Sequence, residues 1–329
     1  LAPLPQPRSS IPDLIYAAYE ASASDWDGLG FSPSMLGTEC DRALWYLFRW
    51  ACAKEKFSGR MLRLFQTGHI EEDRIIDDLK RIGLEVHEVD PSTGKQWLAR
   101  AIGGHLRGKL DGIITAGVPE APAKTHVVEC KSHSEKSFGK VKMHGVLKGK
   151  FEHWVQCQVY MHVRGIDRAL YAAVNKNTDE VYYERVRYDH EFCSLLFARL
   201  QRVILTDQPP APISEKRSAP DCRFCKSKPL CVGESFARLN CRTCLHSTPL
   251  LDGDAAWTCA RWAKPLLADE QRAACPSHLF IPGLVPGEQI DVDEQAETVT
   301  YRLANGDLWV DGQDASHEPI ANPESEDAE

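Results

Sequence analysis

Cys222, Cys225, Cys231, Cys241, Cys244, Cys259 and Cys275 crowd the last third of this chain, whereas Cys40, Cys52, Cys130, Cys157 and Cys193 stand singly. With 12 cysteines in 329 residues and no basic-then-apolar start, that crowding points to metal ligation rather than disulfides. Cys222-x2-Cys225-x5-Cys231 supplies three thiolates, one short of the set that an iron–sulfur cluster or a structural zinc takes, so the fourth has to come from elsewhere. Cys241-x2-Cys244-x14-Cys259-x15-Cys275 suits a four-thiolate Zn²⁺ site, with His246 and His278 as substitute ligands and free thiols or a second cluster as competing readings. Cys52, Cys130, Cys157 and Cys193 lie in apolar or strand contexts and read as core residues.

Upstream, the hydrophobic pattern alternates between two periods. Leu14, Ala17 and Ala18 begin a helical signal, the run Cys40 to Trp50 continues it, and Asp25-Trp26-Asp27-Gly28 between them is turn-like. From Arg60 to Gly83, Leu62, Phe65, His69, Glu72, Ile76 and Leu79 recur at steps of three and four, which predicts one continuous face of a long helix ended by Gly83. The runs Leu84 to Val89, Gln96 to Ala101, His105 to Thr115 and Thr125 to Lys131 then read as strands of one sheet. A helix over Lys148 to Arg164, strands at Ala169 to Val174 and Glu180 to Arg187, and a helix over Asp189 to Leu205 complete an α/β arrangement with a mixed sheet. The proline-rich stretch Thr206 to Asp221 reads as a linker, and Asn305-Gly306 as the turn of a hairpin between Glu297–Leu303 and Leu308–Val310.

The chemistry concentrates where helix gives way to strand. In HVVECKS, Val127, Glu129 and Lys131 share one strand face because strand side chains alternate with a period of two, and Asp111 stands earlier at a strand end beside Gly112. Two carboxylates on adjacent strands can hold a hard divalent cation through oxygen, and a neighbouring lysine can orient or deprotonate an attacking water. The bland alternative is a surface strand carrying a salt bridge. His69 by itself reads as a hydrogen-bonded core histidine, but Glu72 one turn on makes a polar patch that a simple core would avoid.

Taken in order, these elements resemble the PD-(D/E)XK nuclease superfamily, specifically its RecB-like branch. Asp111, Glu129 and Lys131 match the catalytic pattern, Gly68-His69 matches a metal-binding histidine on the preceding helix, and Gln156 with Tyr160 matches the Gln-x-x-x-Tyr motif that borders the site and contacts DNA. Gln158 is a competing glutamine, although only Gln156 has Tyr four positions on. The resemblance implies a restriction-endonuclease-like core, a mixed central sheet flanked by helices. It also implies Mg²⁺ or Mn²⁺ on His69, Asp111, Glu129 and the Cys130 carbonyl, with Lys131 positioning the water. Ser34 to Arg42 is similar to the leading Ser-x-Leu-x-x-Cys-x-Arg of the iron–sulfur members, those of CRISPR adaptation and the AddB type, although Asp41 stands where those often carry proline. It implies that Cys40 joins Cys222, Cys225 and Cys231 around a structural 4Fe–4S cluster, with zinc as the alternative.

The expected organisation is a flexible start over residues 1–12, a nuclease domain over 13–236 that contains the cluster ligands, a zinc-binding module over 237–286, a β-hairpin extension over 287–312 and an acidic disordered tail over 313–329. The net charge of -8 conceals an asymmetry: from Leu284 onward thirteen acids face the single base Arg302, so the rest of the chain is mildly basic and compatible with a phosphate backbone. Arg242, Arg261 and Lys264 are candidates for presentation to DNA by the zinc module. The resemblance implies DNA with free ends as partner, single- or double-stranded, in recombination, repair or phage and mobile-element metabolism, and admits a recombinase or helicase partner. A non-catalytic nucleic-acid-binding scaffold that keeps the fold is the runner-up, and an electron-transfer protein built on the cluster leaves the Glu-x-Lys strand unexplained. No apolar run approaches the roughly 18 residues that cross a bilayer, so no membrane is expected and the location expected is cytoplasmic.

Overall fold

A computed structural model describes residues 10–23, 28–216 and 218–312, so most of the flexible start, part of the Asp25–Gly28 turn, Arg217 in the linker, and the acidic tail over 313–329 fall outside the described residues. The chain forms two compact units, each assembled from separate stretches of sequence.

The first unit draws on Leu1–Trp26, Glu55–Ala99 and Gly108–His190. Its centre is a five-stranded sheet in the order β1 (Glu85–His87), β2 (Gly112–Ala116), β3 (His126–His133), β4 (Arg168–Asn175), β5 (Val181–Arg187). The β3–β4 pair is parallel and the other pairs are antiparallel, so the sheet is mixed as expected. A parallel pair needs a long crossover, and two helices provide it: α3 (Glu135–Gly149) and α4 (Phe151–Arg164). Two others, α1 (Ile11–Ser22) and α2 (Gly59–Arg81), precede the sheet. They pack closely because Gly59 leaves room: a Cβ there would sit 2.1 Å from the Tyr16 carbonyl oxygen.

Strand alternation splits the core into two layers. Val128, Cys130, Leu170, Ala172 and Val174 meet Ile75, Ile76 and Leu79 of α2 on one face. Val127, Tyr171 and Ala173 meet Phe138, Val141, Val146, Cys157, Tyr160 and Met161 of α3 and α4 on the other. The helical stripe expected along the whole of α2 is therefore buried only near its C-terminal end, and Phe65 and His69 are exposed.

Three expectations change. The runs from Leu84 to Lys131 are not one sheet, because Val89–Asp90 pairs with Lys95–Gln96 as a separate ribbon, and Leu98–Ala101 and Leu106–Lys109 also stand outside the five strands. The expected strand His105–Thr115 is interrupted at Leu110, whose N–H turns away to the Trp97 carbonyl. Helix α3 lies where no helix was expected. Its pattern is interrupted at Gly145 (φ 73°), where the Glu184 carboxylate accepts the Val146 N–H at 2.7 Å, and no continuous apolar stripe runs through it.

The second unit draws on Asp27–Lys54, Arg100–Arg107 and Glu191–Glu329. It contains the helices Asp41–Phe48 and, from Glu191 on, His190–Leu205, as expected. Ser247–Pro249, Trp257–Cys259 and Lys264–Leu266 form a small antiparallel sheet. The expected hairpin turns at Gly306 and gains a third strand, Gly287–Asp293. Arg242 does not face solvent as anticipated: it is fully buried, 3.6 Å from the Trp50 ring centre, and donates to the carbonyls of Phe48 and Leu29 and twice to Gln271 Oε1. Arg261 and Lys264 are paired with Glu297 and Glu270. No helix among the described residues is long and apolar enough to cross a membrane.

Candidate active site

Register places the site. Gly112 pairs with Val128 in the antiparallel β2–β3 ladder, so the chain one residue earlier brings Asp111 beside Glu129 and Cys130. Asp111 Oδ2 accepts the Cys130 N–H at 2.7 Å. A residue in an extended strand sends its N–H and C=O to the same side, so the Cys130 carbonyl also leaves toward Asp111. Glu129 is fully buried, Lys131 forms an ion pair with its Oε1, and its Oε2 has no hydrogen-bond partner. From α2, Glu72 hydrogen-bonds to Asp111, and His69 Nδ1 stands 3.8 Å from Glu72 Oε2 with its side chain 80% exposed.

Three carboxylates in one buried cluster repel one another and resist losing water. Burial, with repulsion from Asp111 and Glu72 against the opposing pull of Lys131, pushes Glu129 up to about 8. Burial and then Asp111 push Glu72 up to about 7, and Asp111 is itself raised by burial. Burial works against the Lys131 charge, but Glu129 and Asp111 outweigh it and hold the ammonium above its ordinary range.

These shifts give a pH prediction with a definite sign. The native state holds a proton on Glu129 between the ordinary value of 4.5 and about 8, so the stability this group contributes is full below 4.5 and is lost as pH rises through 8. Denaturant titrations of the cation-free protein should show stability falling across that window, with a shallower slope in Glu129→Gln. A slope that Glu129→Gln leaves unchanged would assign the effect to another group.

Of the other sequence candidates, Gln156 and Tyr160 are brought to this centre and are both buried. Gln156 Nε2 donates to the Tyr160 hydroxyl at 3.3 Å, that hydroxyl donates to the Lys109 carbonyl at 2.7 Å, and Gln156 Oε1 is without a partner. The competing Gln158 is engaged elsewhere, donating to the Arg187 carbonyl and accepting from Asp189 N–H. Sequence reading missed a network on the same face of β3: the Tyr171 hydroxyl lies 2.7 Å from His133 Nε2 and 2.8 Å from His153 Nδ1. Glu129 pairs with Tyr171 across the parallel ladder, and only that pairing, invisible from one segment, brings the histidines together.

In the second unit, Cys40, Cys222, Cys225 and Cys231 line one cavity of about 200 Å³ with Arg42 and Tyr46. Cys52 is half-buried and donates to Ser227 at 3.2 Å near Cys225 and Cys231, so it is not a plain core residue. Cys241, Cys244, Cys259 and Cys275 line another cavity. Among the described residues, no three His, Cys, Asp or Glu side chains are already arranged to hold a metal ion. At the carboxylate cluster, Lys131 supplies the compensating positive charge in this arrangement.

No protein-family model and no curated protein matches the chain. Among solved structures, SSO0001 aligns at 14% identity over 68% of this chain and 97% of its own, with a TM-score of 0.39. An alkaline exonuclease, LHK-Exo from Laribacter hongkongensis, aligns at 14% identity over 57% of this chain and 90% of its own, with a TM-score of 0.36. Its complex with dAMP aligns at 14% identity over 58% and 89%, with a TM-score of 0.35. The roles of this chain's residues rest on its own geometry.

Proposed function

We propose that this chain is a divalent-cation-dependent DNA nuclease of the PD-(D/E)XK, RecB-like kind that hydrolyses phosphodiester bonds at DNA ends in recombination, repair or mobile-element turnover. The observation that carries the reading is Glu129: a carboxylate with no exposure, one oxygen on Lys131 and the other without a partner, beside Asp111. Lys131 balances only one of the adjacent carboxylates, and a divalent cation meeting the unpartnered oxygen would offset the cost of burying Glu129 and Asp111 side by side. Asp111, Glu129 and the Cys130 carbonyl would hold Mg²⁺ or Mn²⁺, with Glu72 the nearest further oxygen donor and His69 at the rim. The ion supplies Lewis acidity toward the scissile phosphate. Lys131, an ammonium throughout the range in which Glu129 loses its proton, would orient the attacking water rather than deprotonate it. Tyr160 and Gln156 fix the chain at Lys109, two residues before Asp111, and so set where that carboxylate points.

The shared cavity supports Cys40, Cys222, Cys225 and Cys231 as ligands of a 4Fe–4S cluster that ties the helix Asp41–Phe48 to the segment after the linker. Anaerobically purified protein is expected to be brown and to lose colour and iron in Cys225→Ser; a colourless, iron-free wild type removes the cluster from the reading. For the activity, full-length protein is incubated with end-labelled single- and double-stranded DNA with Mg²⁺, Mn²⁺ or chelator. Cation-dependent shortening of the labelled strand is expected. Salt-sensitive DNA binding with no cleavage under any cation would favour a scaffold instead.

A further inference from the structure

The second cysteine set lies outside everything the nuclease reading uses. Cys241 and Cys244 flank a 3-10 turn whose start is fixed by the Asn240 side chain, which accepts the Arg242 N–H at 2.9 Å. Cys259 ends the middle strand of the small sheet, in register with Ser247 just beyond that turn. Cys275 follows the helix Ala268–Arg272, and the Cys241 N–H donates to the Ala273 carbonyl at 2.9 Å, which joins the two ends. The four thiols thus come from three places in the chain, the turn, the strand and the end of the helix, and line one cavity of about 470 Å³.

We infer that Cys241, Cys244, Cys259 and Cys275 form a closed four-thiolate site for one structural zinc ion. Two features support metal thiolates over idle thiols. The backbone N–H groups of His246 and Leu279 both reach the Cys244 sulfur and fix its place at the cavity, although burial holds this thiol above its ordinary value in the metal-free protein. The surrounding strands are three residues each and the helix five, elements too short to hold a fixed geometry by pairing alone. His278 is not the preferred ligand, because its Nε2 lies 3.2 Å from the Asn240 carbonyl and 3.3 Å from Thr243 Oγ1. The thiols line the cavity wall without yet converging, so binding requires them to turn inward. Each thiol coordinated releases its proton to solvent as the Zn–S bond forms. With all four positions taken by protein, no open position remains for substrate, and the ion's role is to fix the module.

Elemental analysis of the full-length protein, purified without chelator from zinc-replete cells, tests this. About one zinc per chain is expected. Cys225→Ser should leave it in place while removing iron, and Cys244→Ser with Cys275→Ser should lower it to a small fraction. Should that double variant fail to fold, the wild type loaded with Co²⁺ is read instead: intense sulfur-to-metal charge transfer with tetrahedral d–d bands supports the site. A zinc-free wild type, zinc retained by the double variant, a Co²⁺ spectrum without those bands, or ready alkylation of all four thiols in the native protein would each overturn the inference.

Discussion

Alanine at Glu129 or Lys131 is expected to reduce DNA cleavage by roughly 10²–10³-fold or more, the scale on which a single group stabilising transition-state charge acts. The two variants should fail differently. Glu129→Ala removes a buried oxygen donor, so the Mn²⁺ concentration needed for half-maximal activity should rise with the loss. Lys131→Ala leaves Asp111, Glu129 and the Cys130 carbonyl in place, so it should still respond to cation, with the defect carried by turnover. Unchanged circular dichroism keeps folding out of the comparison. Cleavage surviving both substitutions would remove the catalytic role from this centre.

The second large effect concerns stability. Arg242→Met should cost about 3–5 kcal/mol, because it strands the buried Phe48 carbonyl and Gln271 Oε1 at about 1–3 kcal/mol each, frees the half-buried Leu29 carbonyl, and removes the guanidinium stacked on Trp50. A buried charge replaced by a hydrophobe is sometimes nearly neutral. Here several acceptors are left behind, so the loss prevails. Urea denaturation measures it, and a change below about 1 kcal/mol would mean that the pocket repacks or admits water. DNA affinity and its salt slope should not change in the folded variant, since a fully buried arginine meets no phosphate.

Local period made part of this molecule legible. The alternation of Val127, Glu129 and Lys131 foretold a shared strand face, and β3, β4 and β5 lie close to where their apolar runs placed them. The mixed sheet followed from the order of helical and strand signals. What escaped depends on partners distant in sequence. The contact of Glu72 with Asp111 joins a helix to a strand end that no periodicity relates. Tyr171 gathers His133 and His153 only because β3 and β4 run parallel with Glu129 and Tyr171 in register. Arg242 looked exposed since its neighbours in sequence are polar or cysteine, and two of the rings over it, Phe48 and Trp50, lie nearly 200 positions earlier. Helix α3 was hidden by its own kink, which Glu184 of β5 stabilises from outside the segment.

That long reach of Arg242 also imposes a schedule on synthesis. Leu29, Phe48 and Trp50 leave the ribosome early, whereas Arg242 and Gln271 are made about 200 residues later, an interval of roughly 10–40 s at ordinary elongation rates of about 5–20 residues per second. Throughout that interval Phe48 and Trp50 lack the guanidinium, and Phe48 also lacks the Trp257 ring, that lie over them in the finished protein. The nascent chain therefore carries two aromatic rings whose cover is made last, and products terminated before Arg242 are expected to aggregate more readily than the full chain.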